Sequence, residues 1–241
     1  MRIAIITAMA EETMPIFESL GSHVVDESTI SGVQVREFEL GNDTVYLATS
    51  GVGEVKAALA VQLLKDLFDV EAVLNFGFVG AVSPSLSIAE LVVVDKVCHY
   101  QFDISALNGI ESGRYSDHPD RYFYFDKNLI ARTLANIGRP IRVVTCASGD
   151  KFVSSSGDKN MLRDEFRADI CEMELAGIAI ACERNNLPLL SLKVVSDKAD
   201  EAATVDFGEI VATGMHKLAS VLPAVISALD GTTTTLPPIK K

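Results

Sequence analysis

Three acidic side chains that lie far apart in the chain, Glu12, Glu174 and Asp197, each stand just beyond a run that reads as a β-strand. Ligands of open α/β sheets collect outside the carboxyl ends of the strands. These carboxylates can therefore converge on one edge despite their separation in sequence. Carboxyl groups on opposite sides of a glycosidic bond are what hydrolysis of that bond requires. One protonates the leaving group, and another activates water against an oxocarbenium-like centre. A single Asp or Glu after a strand is also the ordinary occupant of a helix first turn. Glu12 or Asp197 alone thus says little, and Glu172-Met173-Glu174 entering a helix says rather more.

Two further loops follow strand-like runs, Gly77-Phe78-Val79-Gly80 and Ser148-Gly149-Asp150-Lys151-Phe152-Val153. The glycines at 51, 53, 77 and 80 suit tight turns or close approach of backbone to a ligand. They do not make a dinucleotide loop, because Gly51-Val52-Gly53 lacks a third glycine at the right offset and no acidic residue ends a matching second strand. Cys98, Cys146, Cys171 and Cys182 form no C-x-x-C pair. They read as buried free thiols rather than a disulfide framework or a structural zinc site. His23, His99, His118 and His216 show no metal-binding spacing. The expectation is a site without metal or cofactor.

The elements that must position these groups alternate. Ile3 to Thr7 is a continuous apolar strand of the kind buried on both faces, and Val33 to Leu40 and Thr44 to Ala48 are two more, joined at Gly41-Asn42-Asp43. From Glu54 to Leu67 the apolar residues recur at helical spacing, and strands follow at Ala72 to Phe76 and Leu91 to Val97. Ile104 to Phe125 has no clear period and reads as a long surface excursion. Asp126 caps a helix from Lys127 to Ile137, which stops at Gly138. Then come a strand at Arg142 to Cys146, a helix at Lys159 to Phe166 and a strand at Asp169 to Met173. A helix at Leu175 to Asn185, a strand at Leu189 to Val195 and a closing helix at Phe207 to Leu229 complete the pattern. Strands alternating with crossover helices indicate an α/β fold around a mixed, largely parallel sheet. No composition break marks a linker, so residues 1–230 read as one domain, and 231–241, with four threonines and Pro237-Pro238, as a frayed tail.

The chain has 241 residues, 48% hydrophobic, with 21 basic and 33 acidic side chains for a formal net charge of -12. With a mean hydropathy of +0.25 it is not a disordered protein. The acidic balance opposes duplex nucleic acid, whose binding needs a basic face. No eighteen-residue apolar run suggests a membrane span, and the short start Met1-Arg2-Ile3-Ala4-Ile5-Ile6 is too brief for a signal segment. A cytoplasmic protein without membrane or nucleic-acid partners is expected.

Taken together, these segments resemble the nucleoside phosphorylase/nucleosidase superfamily, and within it the 5′-methylthioadenosine/S-adenosylhomocysteine nucleosidases. The resemblance runs in order from Met1 to about Leu229. It rests on Ile5-Ile6-Thr7-Ala8-Met9-x-Glu11-Glu12, Ser50-Gly51-Val52-Gly53 and Asn75-x-Gly77-x-x-Gly80. It rests equally on Ser148-Gly149-Asp150-x-Phe152, Glu172-Met173-Glu174-x-Ala176, Val195-Ser196-Asp197 and Asp206-Phe207.

The resemblance implies a three-layer α/β/α fold, cleavage of the N-glycosidic bond of a purine nucleoside, and a homodimer. By it, Glu12 deprotonates the attacking water, Glu174 grips the ribose hydroxyls, Met173 packs on the sugar and Asp197 protonates purine N7. Phe152 stacks on the purine, the Val153 backbone reads its edge, and Phe207 lines the pocket, with Ser196 beside the acid. Two positions depart from the family. Phe78 stands where the nucleosidases carry Ser, and Lys193 where they carry Arg. Phenylalanine cannot hydrogen-bond, and lysine keeps the charge but loses the planar fork, so both alter the water-binding side. Phosphate-using members carry arginines near the first turn and before the glycines. Here Ala8 to Pro15 holds no basic residue and Asn75 takes the second place, so water is the expected nucleophile. A futalosine-type or other purine nucleoside, phosphorolysis, and binding without turnover remain alternatives.

Overall fold

The computed structural model describes residues 1–21 and 24–229; His23 and the tail 231–241 lie outside them. The elements run β1 (Arg2–Thr7), α1 (Ala10–Leu20), β2 (Val24–Ile30), β3 (Val33–Leu40), β4 (Asp43–Thr49), α2 (Glu54–Phe68), β5 (Ala72–Ala81) and β6 (Leu91–His99). They continue with α3 (Ser105–Asn108), β7 (Tyr122–Tyr124), α4 (Lys127–Ile137), β8 (Arg142–Ser148), α5 (Ser156–Phe166) and β9 (Ile170–Glu172). α6 (Leu175–Arg184), β10 (Leu189–Asp197), α7 (Ala203–Ala219) and α8 (Leu222–Leu229) close the order. No helix among the described residues is long and apolar enough to cross a membrane.

The sheet is mixed and has helices on both sides, as expected of an α/β fold. Its topology differs from the open sheet assumed above. β5 pairs parallel with β10, β10 antiparallel with β6, β6 parallel with β8, β8 parallel with β9, and β9 antiparallel with the end of β5. These five strands therefore close on themselves. β1, β4, β3 and β2 continue outward from β5 as a wing, with β2 at its edge. Closure buries β5 along its whole length and leaves no residue of β10 exposed. Such strands read as continuous apolar runs.

Several elements differ from the sequence expectation. Gly77 to Gly80 lie inside β5 rather than after it. β2 (VVDESTI) was not foreseen, because it is an edge strand carrying Asp26, Glu27 and Ser28 in place of apolar alternation. α1 was not foreseen either, since Pro15 falls within it. The expected closing helix begins earlier, at Ala203, and breaks after Ala219. Pro223 explains the break: its ring would strike the carbonyl of Ala219, so a new helix starts at Leu222. The excursion at 104–125 contains α3 and β7, and β7 pairs antiparallel with β6. α4 matches its expected cap and stop, with the Asp126 carboxylate accepting from Asn128 N at 2.8 Å and Gly138 left-handed at φ 70°. All four cysteines are free and buried.

Candidate active site

The point of closure builds the site. Gly80 of β5 pairs with Cys171 of β9 on one side and Asp197 of β10 on the other. In β10 a bulge between Val195 and Asp197 sets two residues against one step of β5. The extra residue changes which face Asp197 presents. A cavity of about 390 Å³ opens here, the size of a small-ligand pocket. Glu12, Phe78, Phe152, Val153, Met173, Glu174, Ser196, Asp197 and Phe207, all expected from the sequence, line it. Lys193 does not. It lies behind the cavity, in a packing seam with Glu12 and Glu174.

Glu12 sits in the first turn of α1, where its carboxylate reaches back to the start of the helix. Oε2 accepts from Ala8 N at 2.8 Å and Met9 N at 3.2 Å, and Oε1 accepts from Phe78 N at 2.9 Å. Two of these bonds are the ordinary work of a helix-capping carboxylate. The third ties it to β5. Four acceptor positions less three donors leave Glu12 one lone pair for a ligand. Burial pushes its carboxyl above the usual range, against the pull of Lys193 and the three N–H groups.

Gly77 makes room for this group. A Cβ there would lie 2.8 Å from Glu12 Oε1 and 3.4 Å from Lys193 Nζ. Gly77→Ala is therefore expected to shift a carboxylate that three backbone donors hold in place, lowering turnover by about 10²-fold. Steady-state kinetics on folded variant, with a turnover loss below about threefold, would show that Glu12 does not need that position.

Asp197 accepts from Ala199 N at 2.8 Å through Oδ1 and from the Ser196 hydroxyl at 2.7 Å through Oδ2. The Ser196 hydroxyl is also 3.2 Å from Val79 O, so its one proton is shared between two acceptors. Burial raises the Asp197 carboxyl, Ser196 and Ala199 oppose that rise, and Asp206 and Asp200 add to it. Glu174 is the residue preceding α6, and its Oε1 accepts from Gly53 N at 2.9 Å. Burial and then the charge of Glu172 push its carboxyl up, while Lys193 and Gly53 pull it down.

Lys193 Nζ lies 3.3 Å from Glu172 Oε2, and both side chains are buried. Burial alone would lower the lysine, but Glu172, Glu174 and Glu12 outweigh it and hold the ammonium charged. Glu172 in turn accepts from Glu174 N at 3.1 Å and Leu175 N at 3.0 Å. One cation thus faces three carboxylates from behind the cavity.

The apolar wall is aromatic. Phe78 meets Phe207 edge to face at 5.6 Å, and Phe207 meets Phe152 the same way at 6.2 Å. The Phe78 ring reaches α7, where a Cβ on Gly214 would lie 2.6 Å from Phe78 Cε1. The ring fits only because residue 214 is glycine. Phe152 is 44% exposed at the rim, whereas Val153 is buried. Sequence reasoning did not place Val52 or Cys171 on the cavity wall, nor the Gly53 and Phe78 N–H groups as donors to carboxylates, although it marked Gly53 as a point of close backbone approach.

A closed mixed sheet with a cavity at its strand ends that sets an aromatic wall against a group of carboxylates defines an α/β enzyme of small-molecule chemistry. Residues 2–227 match the Phosphorylase superfamily model, and the chain belongs to that family. It is 31% identical to the aminodeoxyfutalosine nucleosidase of Campylobacter jejuni, over 88% of this chain and 92% of the relative. It is also 31% identical to the 5′-methylthioadenosine/S-adenosylhomocysteine nucleosidase of Shewanella piezotolerans, over 93% of this chain and 99% of the relative. The Streptococcus pneumoniae 5′-methylthioadenosine/S-adenosylhomocysteine nucleosidase, solved with a transition-state inhibitor, superposes with a TM-score of 0.87 at 31% identity. That match covers 95% of this chain and all of the solved one.

Proposed function

We propose that the protein hydrolyses the N-glycosidic bond of a purine nucleoside with a 5′-thio substituent, 5′-methylthioadenosine or S-adenosylhomocysteine. The observation that carries this reading is the convergence of Glu12, Glu174 and Asp197 on one cavity with an aromatic wall. The purine stacks on Phe152, its edge meets the Val153 backbone, Phe207 closes the wall and Met173 packs on the sugar. Glu174 accepts from the ribose hydroxyls through Oε2, which no donor reaches among the described residues. Glu12 takes a proton from water as the oxygen attacks C1′. The C1′–N9 electron pair passes into the purine, and Asp197 delivers a proton to N7. The products are the neutral base and the 5-thioribose. No cofactor enters the balance.

Water is favoured over phosphate on electrostatic grounds. Lys151, the cation on the cavity wall, is held by both oxygens of Asp158 at 2.8 Å. Lys193 is held by Glu172. Glu12 occupies the nucleophile side and repels a dianion. Release of free base from methylthioadenosine, adenosylhomocysteine, aminodeoxyfutalosine, adenosine and inosine, with and without phosphate, tests the reading. Phosphate-independent release of adenine from the thio-nucleosides is expected, and strict phosphate dependence would overturn it. The aminodeoxyfutalosine arm is included because a relative at 31% identity is named for that activity.

The homodimer belongs to the same proposal. Val52, Val55 and Leu59 expose an apolar stripe at the start of α2, with Val52 at the cavity and Leu107 of α3 86% exposed. Light scattering should give twice the 25.9 kDa chain mass; a monomer at working concentration would refute it.

A further inference from the structure

Glu54 is a buried acid that the chemistry above does not use. It opens α2 directly after Gly53, and it is 5% exposed. Its carboxyl spans to the start of α6: Oε2 accepts from Gly177 N, and Oε1 shares a hydrogen bond with the Ser148 hydroxyl. Ser148 Oγ in turn accepts from Ala176 N at 3.0 Å. Glu172 accepts from Leu175 N, and Ile178 N bonds to Glu174 O at 3.1 Å. The four N–H groups that a helix start leaves without internal partners, those of Glu174, Leu175, Ala176 and Gly177, are thus met by Glu172 twice, by Ser148 and by Glu54.

The contact between α2 and α6 is close. A Cβ on Gly177 would fall 2.3 Å from the Glu54 carbonyl oxygen and 2.9 Å from Glu54 Oε2. Only glycine lets the two helix starts meet this way. From below, Asp150 Oδ1 accepts from Glu54 N at 2.8 Å. The residue before Glu54 donates to Glu174 Oε1, and the helix that Glu54 caps begins directly after Glu174. Glu54 therefore adjoins both supports of the Glu174 side chain, the Gly53 N–H and the start of α6.

We infer that Glu54 is a positioning residue, a strut between α2 and α6 that fixes the Glu174 carboxylate for the ribose hydroxyls. The inference rests on the nucleoside reading above. Burial and the charge of Glu172 push the Glu54 carboxyl up to about 8. The carboxyl accepts from both, from the Ser148 hydroxyl at Oε1 and from Gly177 N at Oε2. A glutamine amide keeps the bond from Gly177 N through its oxygen and meets Ser148 Oγ with its NH2, with the direction of that bond reversed. Alanine reproduces neither and leaves two buried groups unpaired.

The test is calorimetric binding of two probes: adenine, which has no sugar, and formycin A, a pyrazolopyrimidine analogue of adenosine whose C–C glycosidic bond cannot be hydrolysed. Glu54→Ala is expected to weaken formycin A by about tenfold or more, the worth of one hydrogen bond to a charged group, and adenine by less than about twofold. Glu54→Gln should bind both probes within about threefold of wild type. A pocket that had merely loosened would lose both probes together, and that result overturns the role. So does Glu54→Ala binding formycin A as wild type does, or Glu54→Gln losing formycin A as fully as Glu54→Ala. Wild-type protein that binds adenine but not formycin A would overturn the nucleoside reading itself, and the strut with it.

Discussion

Asp197→Asn is expected to slow base release by about 10²–10⁴-fold, the range for loss of a positioned general acid, while nucleoside still binds. The amide preserves the local bonds. Its oxygen accepts from Ala199 N as Oδ1 does now, and its NH2 donates to Ser196 Oγ, freeing that hydroxyl to bond Val79 O. What the amide cannot do is release a proton to N7. The pH profile carries a second signature. Burial holds the Asp197 proton to higher pH than an ordinary aspartate does, so the acid form persists upward in pH. Wild-type turnover should decline as pH rises through that raised value, and the variant should lack this limb. Rapid-quench measurement of free purine decides the matter. A variant retaining more than about a tenth of the wild-type rate would remove Asp197 from the acid role.

Glu12→Gln should have a comparable effect on turnover, about 10²–10⁴-fold, with a further consequence for stability. Three backbone N–H groups point at the two oxygens of Glu12. An amide has one acceptor oxygen, so its NH2 must face either Phe78 N or the pair Ala8 N and Met9 N. Each buried donor left without an acceptor costs about 1–3 kcal/mol. The variant should therefore melt several degrees lower, since about 2–4 °C accompanies each kcal/mol at this chain length. Loss of turnover with an unchanged melting temperature would show that Glu12 acts in catalysis without the backbone cradle. Normal turnover would place water activation elsewhere.

Nine of the residues that line the cavity were visible in the sequence because chemistry-bearing side chains followed recognisable strands and matched short motifs in order. Glu12, Glu174 and Asp197 were found in that way. Lys193 was found too, but its depth was not. In a sequence a lysine within an apolar strand carries no sign of which partner faces it, and only the fold sets it against Glu172 behind the cavity. Phe78 read as the loss of a hydroxyl. The structure shows where the ring goes instead, into the space left by Gly214, more than a hundred residues along.

By itself the sequence determined the alternation of strands and helices, the α4 cap and stop, the buried thiols and the acidic set, because each follows from side-chain type and short-range spacing. Tertiary structure alone decided the closure of the sheet at Gly80, the bulge at Ser196 and the strut from Glu54 to α6. Those depend on which backbone N–H meets which carbonyl or carboxyl across long separations. A backbone group looks the same at every residue, so no local pattern announces its partner.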